Sequence, residues 1–400
     1  MNSRPWNSRP CWVEISAQSL EDNYRFLLSM AAGNAELLAM VKADAYGHSL
    51  ALCAPAAVRA GARWLGVTSV EEAVEARALC PESRVLVMSG CFPGEGAAVL
   101  EHGLTAVAWE PWQLDELESA ACAAGAGPDS VAGSVPIHLE IDTGMSRQGV
   151  SPDGLAEILA RFGAGGPLRL EGVLTHLFAA DESDGRTTEA QLARLDEALA
   201  QIAAAGFEPE WLSVGASATL LNGDAARLAG LARSRGMKAM IRPGLALYGV
   251  APQFEPDEPP AVAQARQHLK PVLSWKTRVA SVRSVSAGAV VGYNGTFVAT
   301  EPMRLALLPV GYADGLDRRL GNRFSLLVRG QRAPLVGRIS MDLSVLDVTE
   351  IDGVEAGDEV VILGSQGLET ISATDHAEAT GTIPWEVFTR IGARVGRVWV

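Results

Sequence analysis

Short apolar runs alternate with longer amphipathic or alanine-rich stretches from about residue 12 to residue 250. This alternation is typical of parallel β-strands that are joined by helices. The stretch TTEAQLARLDEALAQIAAAG has apolar residues near helical spacing and a glycine at its end, so it predicts a helix. The apolar runs predict eight strands, at residues 36–42, 63–69, 83–89, 104–110, 135–142, 170–176, 210–215 and 238–244.

Eight strand–helix units in about 240 residues favour an α/β fold with an N-terminal (β/α)8 barrel of the TIM type. An open doubly wound sheet is the alternative, but no GxGxxG fingerprint for a dinucleotide follows the first predicted strand.

The pattern changes after residue 252, where QFEPDEPPAVAQARQ is rich in proline and acidic residues and predicts a connector. Farther along, short valine-rich runs between glycine turns predict a C-terminal β-rich domain. We therefore expect a tail (1–11, with a doubled NSRP), a barrel domain (12–252), a connector (253–269) and a β domain (270–400).

Composition narrows the function class. A 400-residue chain with 48% apolar residues supports a large folded core, and its net charge of −14 argues against nucleic-acid binding. No apolar run reaches the roughly 18 residues of a membrane helix, and the N-terminus lacks the apolar core of a signal peptide, so we expect a cytoplasmic protein. The five cysteines form no CxxC pair and the six histidines no HExxH pair, which predicts free thiols and no metal site.

Polar side chains collect at the carboxyl ends of the predicted barrel strands, the end at which barrels carry their active sites. Lys42 ends the first strand, Arg147 follows the fifth, His176 ends the sixth, Ser217 follows the seventh and Arg242 ends the eighth. Each alone is most simply a structural or solvated group. Their joint position predicts a site.

Lys42 follows an apolar strand, where loss of hydration would lower the pKa of its ammonium group and free the amine to attack a carbonyl. Pyridoxal phosphate is a cofactor that reacts with such a lysine. Barrels commonly bind phosphate at the loops after strands seven and eight. Ser217 and the Gly244–Leu245 turn would supply a hydroxyl and backbone N–H donors there.

Six motifs, in order along nearly the whole chain, resemble those of the alanine racemase family: VKADAYGH, IDTGMSRQGV, RPGLALYGV, GYNGTF, PVGYADG and VGRISMD. The resemblance implies a pyridoxal-phosphate-dependent isomerase that interconverts L-alanine and D-alanine by a two-base mechanism and provides D-alanine for peptidoglycan.

The resemblance also implies residue roles. Lys42 would bind the cofactor and act as one base, and Tyr293 would be the opposite base, supplied by the partner subunit of a homodimer with shared active sites. Because a free tyrosine ionises near pH 10, it would need help through His176 and Arg242. Arg242 would contact the pyridine nitrogen without giving up its proton.

Further roles follow from the same motifs. Arg147, Met341, Asp342 and Tyr312 would bind or admit the amino-acid substrate, with Met341 and Asp342 coming from the second subunit. The cofactor phosphate would be surrounded by Tyr46, Ser217, Gly244 and Leu245.

The chain departs from the family pattern at four positions, of which Ala216 and Gly292 replace an asparagine and a serine and bear mainly on cofactor affinity. Glu140 occupies the place of a lysine that many members modify to a carbamate, so an encoded carboxylate would replace a modified one. Ala393 occupies the place of a tyrosine that contacts the phosphate. The smaller side chain would widen the site and predicts tolerance of larger substrates such as serine.

Three alternatives stay open from the sequence. The first is a racemase of the same fold with broader alanine and serine specificity. The second is a non-catalytic pyridoxal-phosphate carrier, although single-domain carriers lack a β domain and the opposing tyrosine. The third is an amino-acid decarboxylase of the same fold type, for which no cysteine motif is evident.

Overall fold

The eight predicted apolar runs form parallel strands, and in the residues that this computed structural model describes (9–127, 134–163 and 165–400) these strands close into a barrel. The predicted (β/α)8 architecture is confirmed. One strand, β1 (Cys11–Ile15), precedes the barrel. The barrel strands are β2 (Glu36–Met40), β3 (Trp64–Val67), β4 (Arg84–Val87), β5 (Thr105–Ala108), β6 (Val135–Glu140), β7 (Leu168–Leu174), β8 (Trp211–Ser213) and β9 (Lys238–Ile241).

Helices connect the barrel strands and cover them. The helix Arg186–Ala204 buries Leu192, Leu195, Leu199 and Ile202, whose spacing places them on one face. Side-chain capping fixes helix starts, as where Ser69 accepts a hydrogen bond from the Glu72 backbone. The helices of this region are Ala17–Ala31, Leu50–Arg59, Val70–Leu79, Gly96–Glu101, Pro111–Ala123, Leu155–Leu159, Arg186–Ala204, Ser217–Leu221, Ala225–Ser234 and Pro260–Arg266.

The C-terminal residues form a β-rich domain, as predicted. The helices there are Ala373–Thr380 and Pro384–Thr389. The strands are β10 (Leu273–Arg278), β11 (Ser281–Val285), β12 (Val290–Val291), β13 (Phe297–Val298), β14 (Met303–Leu308), β15 (Ser325–Val328), β16 (Gln331–Pro334), β17 (Ser344–Asp347), β18 (Glu359–Gln366), β19 (Glu369–Ile371) and β20 (Gly396–Trp399). Within the described residues, the main sheet has the order β16–β15–β18–β10–β1–β20, with β19 beside β18.

Strand β1 lies in this C-terminal sheet, although its residues belong to the predicted tail and the predicted barrel domain. It pairs antiparallel with β10 (Val13 opposite Trp275) and parallel with β20 (Val13 opposite Arg397). A five-residue apolar run contains no information about which distant strand will pair with it. Residues 1–8, the rest of the predicted tail, lie outside the described residues.

Two compact units result. The barrel unit comprises residues Gln18–Ala45 and Cys53–Lys270, and the β unit comprises residues 9–17, Tyr46–Leu52 and Pro271–Val400. The predicted connector, 253–269, contains the helix Pro260–Arg266 and belongs to the barrel unit. None of the helices in the described residues combines the length and apolar character needed to cross a bilayer.

Candidate active site

Lys42 lies just beyond the carboxyl end of β2, rather than in the strand itself as predicted. The strand ends at Met40, and the backbone N–H of Val41 donates to the carbonyl of Gly66 at 2.8 Å. Lys42 then begins a left-handed turn. Burial lowers the pKa of Lys42, and the positive charges of Arg147 and Arg242 lower it further. A larger fraction of the amine is therefore free at neutral pH.

Arg242 is a buried cation in the mouth of the barrel, 4% exposed. One guanidinium nitrogen donates to the carbonyl and the hydroxyl of Ser213, both at 2.8 Å, and the other donates to the carbonyl of Thr175 at 2.8 Å. Burial lowers the pKa of Arg242 to about 10. The side chain is therefore held rigidly and remains charged at neutral pH.

His176 lies beside this guanidinium, with 3.3 Å between its Nδ1 atom and Nη2 of Arg242. A guanidinium can only donate, so Nδ1 of His176 accepts and the proton of the neutral ring lies on Nε2. Burial lowers the pKa of His176 to about 3, with contributions from the charges of Arg242, Arg147 and Lys42. The ring is consequently neutral at physiological pH.

Glu140 is a buried carboxylate at the end of β6, 3% exposed. The side-chain amide of Gln148 donates to its Oε2 atom at 2.6 Å and to the Met88 carbonyl at 3.2 Å. Burial raises the pKa of Glu140, while Gln148 and the charges of Arg242 and Arg147 oppose that rise. Glu140 thus offsets positive charge in a mouth that also contains cationic side chains.

Ser217 joins the loops after β8 and β9. Its Oγ atom accepts hydrogen bonds from the backbone of Gly244 at 3.0 Å and of Ala246 at 3.2 Å. Ser217, Gly244 and Leu245 are buried. The Gly244 N–H, predicted as an open donor, is engaged by Ser217. Because the serine oxygen accepts both bonds, its own O–H remains to be donated to an anion.

Arg147 is exposed in the loop after β6. The preceding turn is held by Asp142, whose Oδ1 atom accepts from the backbone of Gly144 at 2.8 Å and of Ser146 at 3.1 Å. Ser146 has a φ of 56°, which fits this tight turn. The charge of Arg147 contributes to the lowered pKa values of Lys42 and His176, so the mouth of the barrel unit brings these predicted residues together.

The remaining predicted site residues belong to the β unit. Tyr293 is 69% exposed, Tyr312 is 43% exposed and Met341 is 54% exposed. Tyr312 and Met341 lie on adjoining loops, because the Tyr312 N–H donates to Ser340 at 3.1 Å and the Ala313 N–H donates to Met341 at 3.0 Å.

Two further residues of the β unit complete the predicted set. Asp342 forms ion pairs with Arg9 and Arg394. Tyr46 is buried, and burial raises the pKa of its phenol, which keeps it a neutral donor.

Both units match one family. The family model of the alanine racemase N-terminal domain matches residues 15–252, and the family model of the C-terminal domain matches residues 272–399. The chain belongs to the alanine racemase family.

Alanine racemase sequences from several bacteria resemble the chain over almost its full length. The enzyme of Symbiobacterium thermophilum is 37% identical over 391 residues, which is 98% of this chain and 97% of the relative. That of Syntrophobacter fumaroxidans is 36% identical and covers 95% of each chain.

Solved structures of alanine racemases also resemble this chain over almost its full length. The alanine racemase of Streptomyces lavendulae has a TM-score of 0.85 at 34% identity, with 98% of each chain covered. That of Bartonella henselae, described with covalently bound pyridoxal phosphate, has a TM-score of 0.81 at 27% identity and covers 98% of this chain and 99% of its own.

Sequence reasoning missed Gln148, although it lies within the alanine racemase motif IDTGMSRQGV. Its neighbour Arg147 had a chemical signal, since a charged side chain after a barrel strand suggests ligand binding. An amide has no such signal. Only the 2.6 Å contact with buried Glu140 assigns Gln148 a place in the site.

Proposed function

We propose that this protein interconverts L-alanine and D-alanine, with pyridoxal phosphate bound through Lys42, and so provides D-alanine for peptidoglycan. The observation that carries the proposal is the position of Lys42. Its amine has a lowered pKa in a barrel mouth that also contains Arg147, His176 and Arg242, in a chain whose two domains both match the family.

The residues present fit the cofactor. Its aldehyde requires a free amine, which Lys42 offers. Its phosphate requires a hydrogen-bond donor, which the O–H of Ser217 offers because the serine oxygen already accepts from the backbone of Gly244 and Ala246 on the loop after β9. Its ring nitrogen requires a fixed polar partner, and Arg242 is fixed by the hydrogen bonds that it donates to the carbonyls of Ser213 and Thr175. When bound, pyridoxal phosphate supplies an electron-withdrawing ring that stabilises the carbanion left after loss of the substrate's α proton.

Lys42 would accept or donate that proton on one face of the substrate, because its lowered pKa favours the free amine that a general base requires. Arg242 would donate a hydrogen bond to the ring nitrogen and keep its own proton, since a pKa of about 10 leaves it charged. The nitrogen would therefore stay unprotonated. Arg147 would bind the carboxylate of the substrate, and its exposure leaves the guanidinium accessible.

The main experiment tests the role of Lys42. Purified protein with pyridoxal phosphate should form the D-isomer from L-alanine, and Lys42→Ala should lower kcat by about 10²- to 10⁴-fold, as expected for loss of a general base. Borohydride reduction should attach the cofactor to the peptide that contains Lys42. Attachment elsewhere, or unchanged turnover by Lys42→Ala, would rule out the proposal.

A second base on the opposite face is needed for racemisation, and we assign that role to Tyr293 of a partner subunit. The side chain is 69% exposed and lies between strands β12 and β13, where the paired residues Val290 and Val298 are also exposed, at 64% and 48%. Such a patch is a typical protein-interaction surface. It supports a homodimer in which Tyr293, Tyr312, Met341 and Asp342 complete the partner's site.

Hybrid dimers test this assembly. Lys42→Ala and Tyr293→Phe should each be nearly inactive alone. After subunit exchange the mixture should regain up to about a quarter of wild-type activity, because a hybrid of two shared-site subunits contains one intact site. The control is each variant mixed with itself under the same conditions. Failure of rescue, with exchange verified by differently tagged subunits, would contradict shared sites.

Substrate breadth and location are further parts of the proposal. Ala393 is exposed, in keeping with a wider site that accepts serine as well as alanine, and the same D-isomer assay with L-serine measures this. All five cysteines lie in the described residues and are free thiols, which supports action in the reducing cytoplasm.

A further inference from the structure

Gln191, on the helix Arg186–Ala204, is a buried amide with three polar partners. Its Nε2 atom donates to Thr143 Oγ1 at 2.9 Å and to the His176 carbonyl at 3.0 Å. Its Oε1 atom accepts from the Phe178 N–H at 3.1 Å. Gln191 and Thr143 are each 1% exposed, so water does not compete for these bonds. A single side chain thus connects the segment after β6 with the segment after β7.

The connection continues through a second threonine to Arg242. Thr143 Oγ1 and Thr175 Oγ1 are 2.8 Å apart, and Thr175 Oγ1 donates to the Ile141 carbonyl at 2.8 Å. Thr175 has one hydroxyl proton, so Thr143 must be the donor to Thr175. Thr143 therefore has only its lone pairs to offer Gln191. The carbonyl of Thr175 in turn accepts from Arg242 at 2.8 Å.

The helix Arg186–Ala204, which carries Gln191, also holds Thr143 by a second hydrogen bond. Nη1 of Arg194 donates to the Thr143 carbonyl at 2.9 Å. The next residue, Gly144, has a φ of 134°, and a Cβ atom there would lie 2.6 Å from Nη1 of Arg194. The φ of Gly144 is one that residues with a side chain rarely adopt, which favours glycine at this position. Gly144 also begins the turn that leads to Arg147.

We propose that Gln191 is a positioning residue that fixes the Arg147 loop relative to His176 and Arg242. It acts through Thr143 and Thr175 and touches neither substrate nor cofactor. The inference rests on the site roles proposed above. Its physical basis is that the three groups lie on different strand ends, and a shift of about 1 Å between such groups can lower a rate about 100-fold.

A purely structural role is the competing explanation, and Gln113 provides the matched control. It is also a glutamine with 1% exposure. Its Oε1 atom accepts from the backbone of Trp109 at 2.9 Å and of Glu110 at 3.1 Å. These bonds cap the start of the helix Pro111–Ala123. Removing either amide should therefore cost similar stability, but only Gln191 has partners in the site.

The experiment compares Gln191→Leu with Gln113→Leu as holoenzymes. Both should lower the unfolding midpoint. Only Gln191→Leu should lower kcat/KM for L-alanine, by about 10- to 100-fold, the loss typical when a group that orients a functional residue is removed. It should also change the visible circular dichroism of the bound cofactor, because the groups around the cofactor shift.

Gln191→Glu is the second variant if leucine prevents folding. It has nearly the same shape, but its ionised carboxylate faces the lone pairs of Thr143 and the His176 carbonyl without a proton to donate. The same loss of kcat/KM is expected. Unchanged kcat/KM in the folded variants, or an equal loss in Gln113→Leu, would overturn the inference. Failure of the unmodified holoenzyme to racemise alanine would instead overturn the proposed function.

Discussion

At the scale of single residues, Glu140 balances the charge of the barrel mouth. It is 3% exposed, and its carboxylate is bonded to Gln148 at 2.6 Å. The charges of Arg242 and Arg147 both act on it. A carboxylate encoded in the chain provides this negative charge without any chemical modification. A lysine at the same position would provide it only after reaction of its amine with carbon dioxide.

This difference predicts how activity responds to bicarbonate. The unmodified protein should be equally active with and without bicarbonate. Glu140→Lys should lose about 10- to 100-fold in kcat/KM in bicarbonate-free buffer, as for other supporting residues of a site, and should regain part of it when bicarbonate is added. Glu140→Met, which cannot be carbamylated, is the control and should show no recovery. Bicarbonate dependence of the unmodified protein would contradict this account of Glu140.

At the scale of elements, the turn after β2 is left-handed over consecutive residues other than glycine. Ala43, Asp44, Ala45 and Tyr46 have φ values of 53°, 52°, 54° and 56°. Such a conformation costs roughly 1–2 kcal/mol for each L-residue with a side chain. Within the barrel unit, the Asp44 N–H donates to Glu72 at 2.9 Å and the Ala45 N–H to Val41 at 2.8 Å. The strain is therefore stored directly beside Lys42.

Ala43 is exposed, so its substitution tests backbone strain without a change in packing. Ala43→Gly should raise the free energy of unfolding by about 0.5–1 kcal/mol and Ala43→Val should lower it by about 1–2 kcal/mol, measured by urea denaturation. Ala43→Gly should also lower kcat, because Lys42 is held less firmly. Ala32, exposed with a φ of 49°, is the control.

The control separates strain relief from function. Ala32→Gly should stabilise the protein by a similar amount with kcat unchanged. If Ala43→Gly destabilises the protein, the turn is not strained at Ala43. If it leaves kcat at the wild-type value, the strained turn does not hold Lys42 in its active position.

At the scale of the whole molecule, buried ionisable groups make stability depend on pH. Burial lowers the pKa values of His138, His176 and His376. For Glu171, burial would raise the pKa, but hydrogen bonds from His138 and Arg84 lower it overall. Each of these groups binds more protons in the unfolded chain. Their contribution to stability is complete above the unfolded pKa and is lost as the pH falls toward the folded value.

The molecule should therefore lose stability between about pH 6.5, the ordinary pKa of histidine, and pH 4. Each such histidine contributes a slope of up to about 1.4 kcal/mol per pH unit. Glu140 has the opposite sign, because its raised pKa favours the folded state when protonated. The urea midpoint at several pH values, with the m-value checked for constancy, measures the sum. A constant or rising midpoint from pH 7 to pH 5 would contradict the assignment of these histidines as buried and neutral.

The sequence alone was sufficient for those features that depend on neighbouring residues. Apolar runs of strand length and helical spacing between them predicted the barrel, because hydrophobic periodicity is a local property. Polar residues at strand ends predicted the positions of Lys42, His176 and Arg242 in one mouth, since parallel strands share a carboxyl end. The order of the family motifs then supplied the chemistry.

The tertiary structure decided the features that depend on distant residues. Strand β1 pairs with β10 across more than two hundred residues, and no local pattern in CWVEI selects that sheet. In the sequence, Gln191 is only one of several polar residues on an amphipathic helix, and its hydrogen bonds to Thr143 and His176 are evident only in the structure. Periodicity indicates which face of an element is buried, but hydrogen-bond partners are chosen by three-dimensional packing. The assignment of strand β1 to its sheet and the supports of the site therefore required the structure.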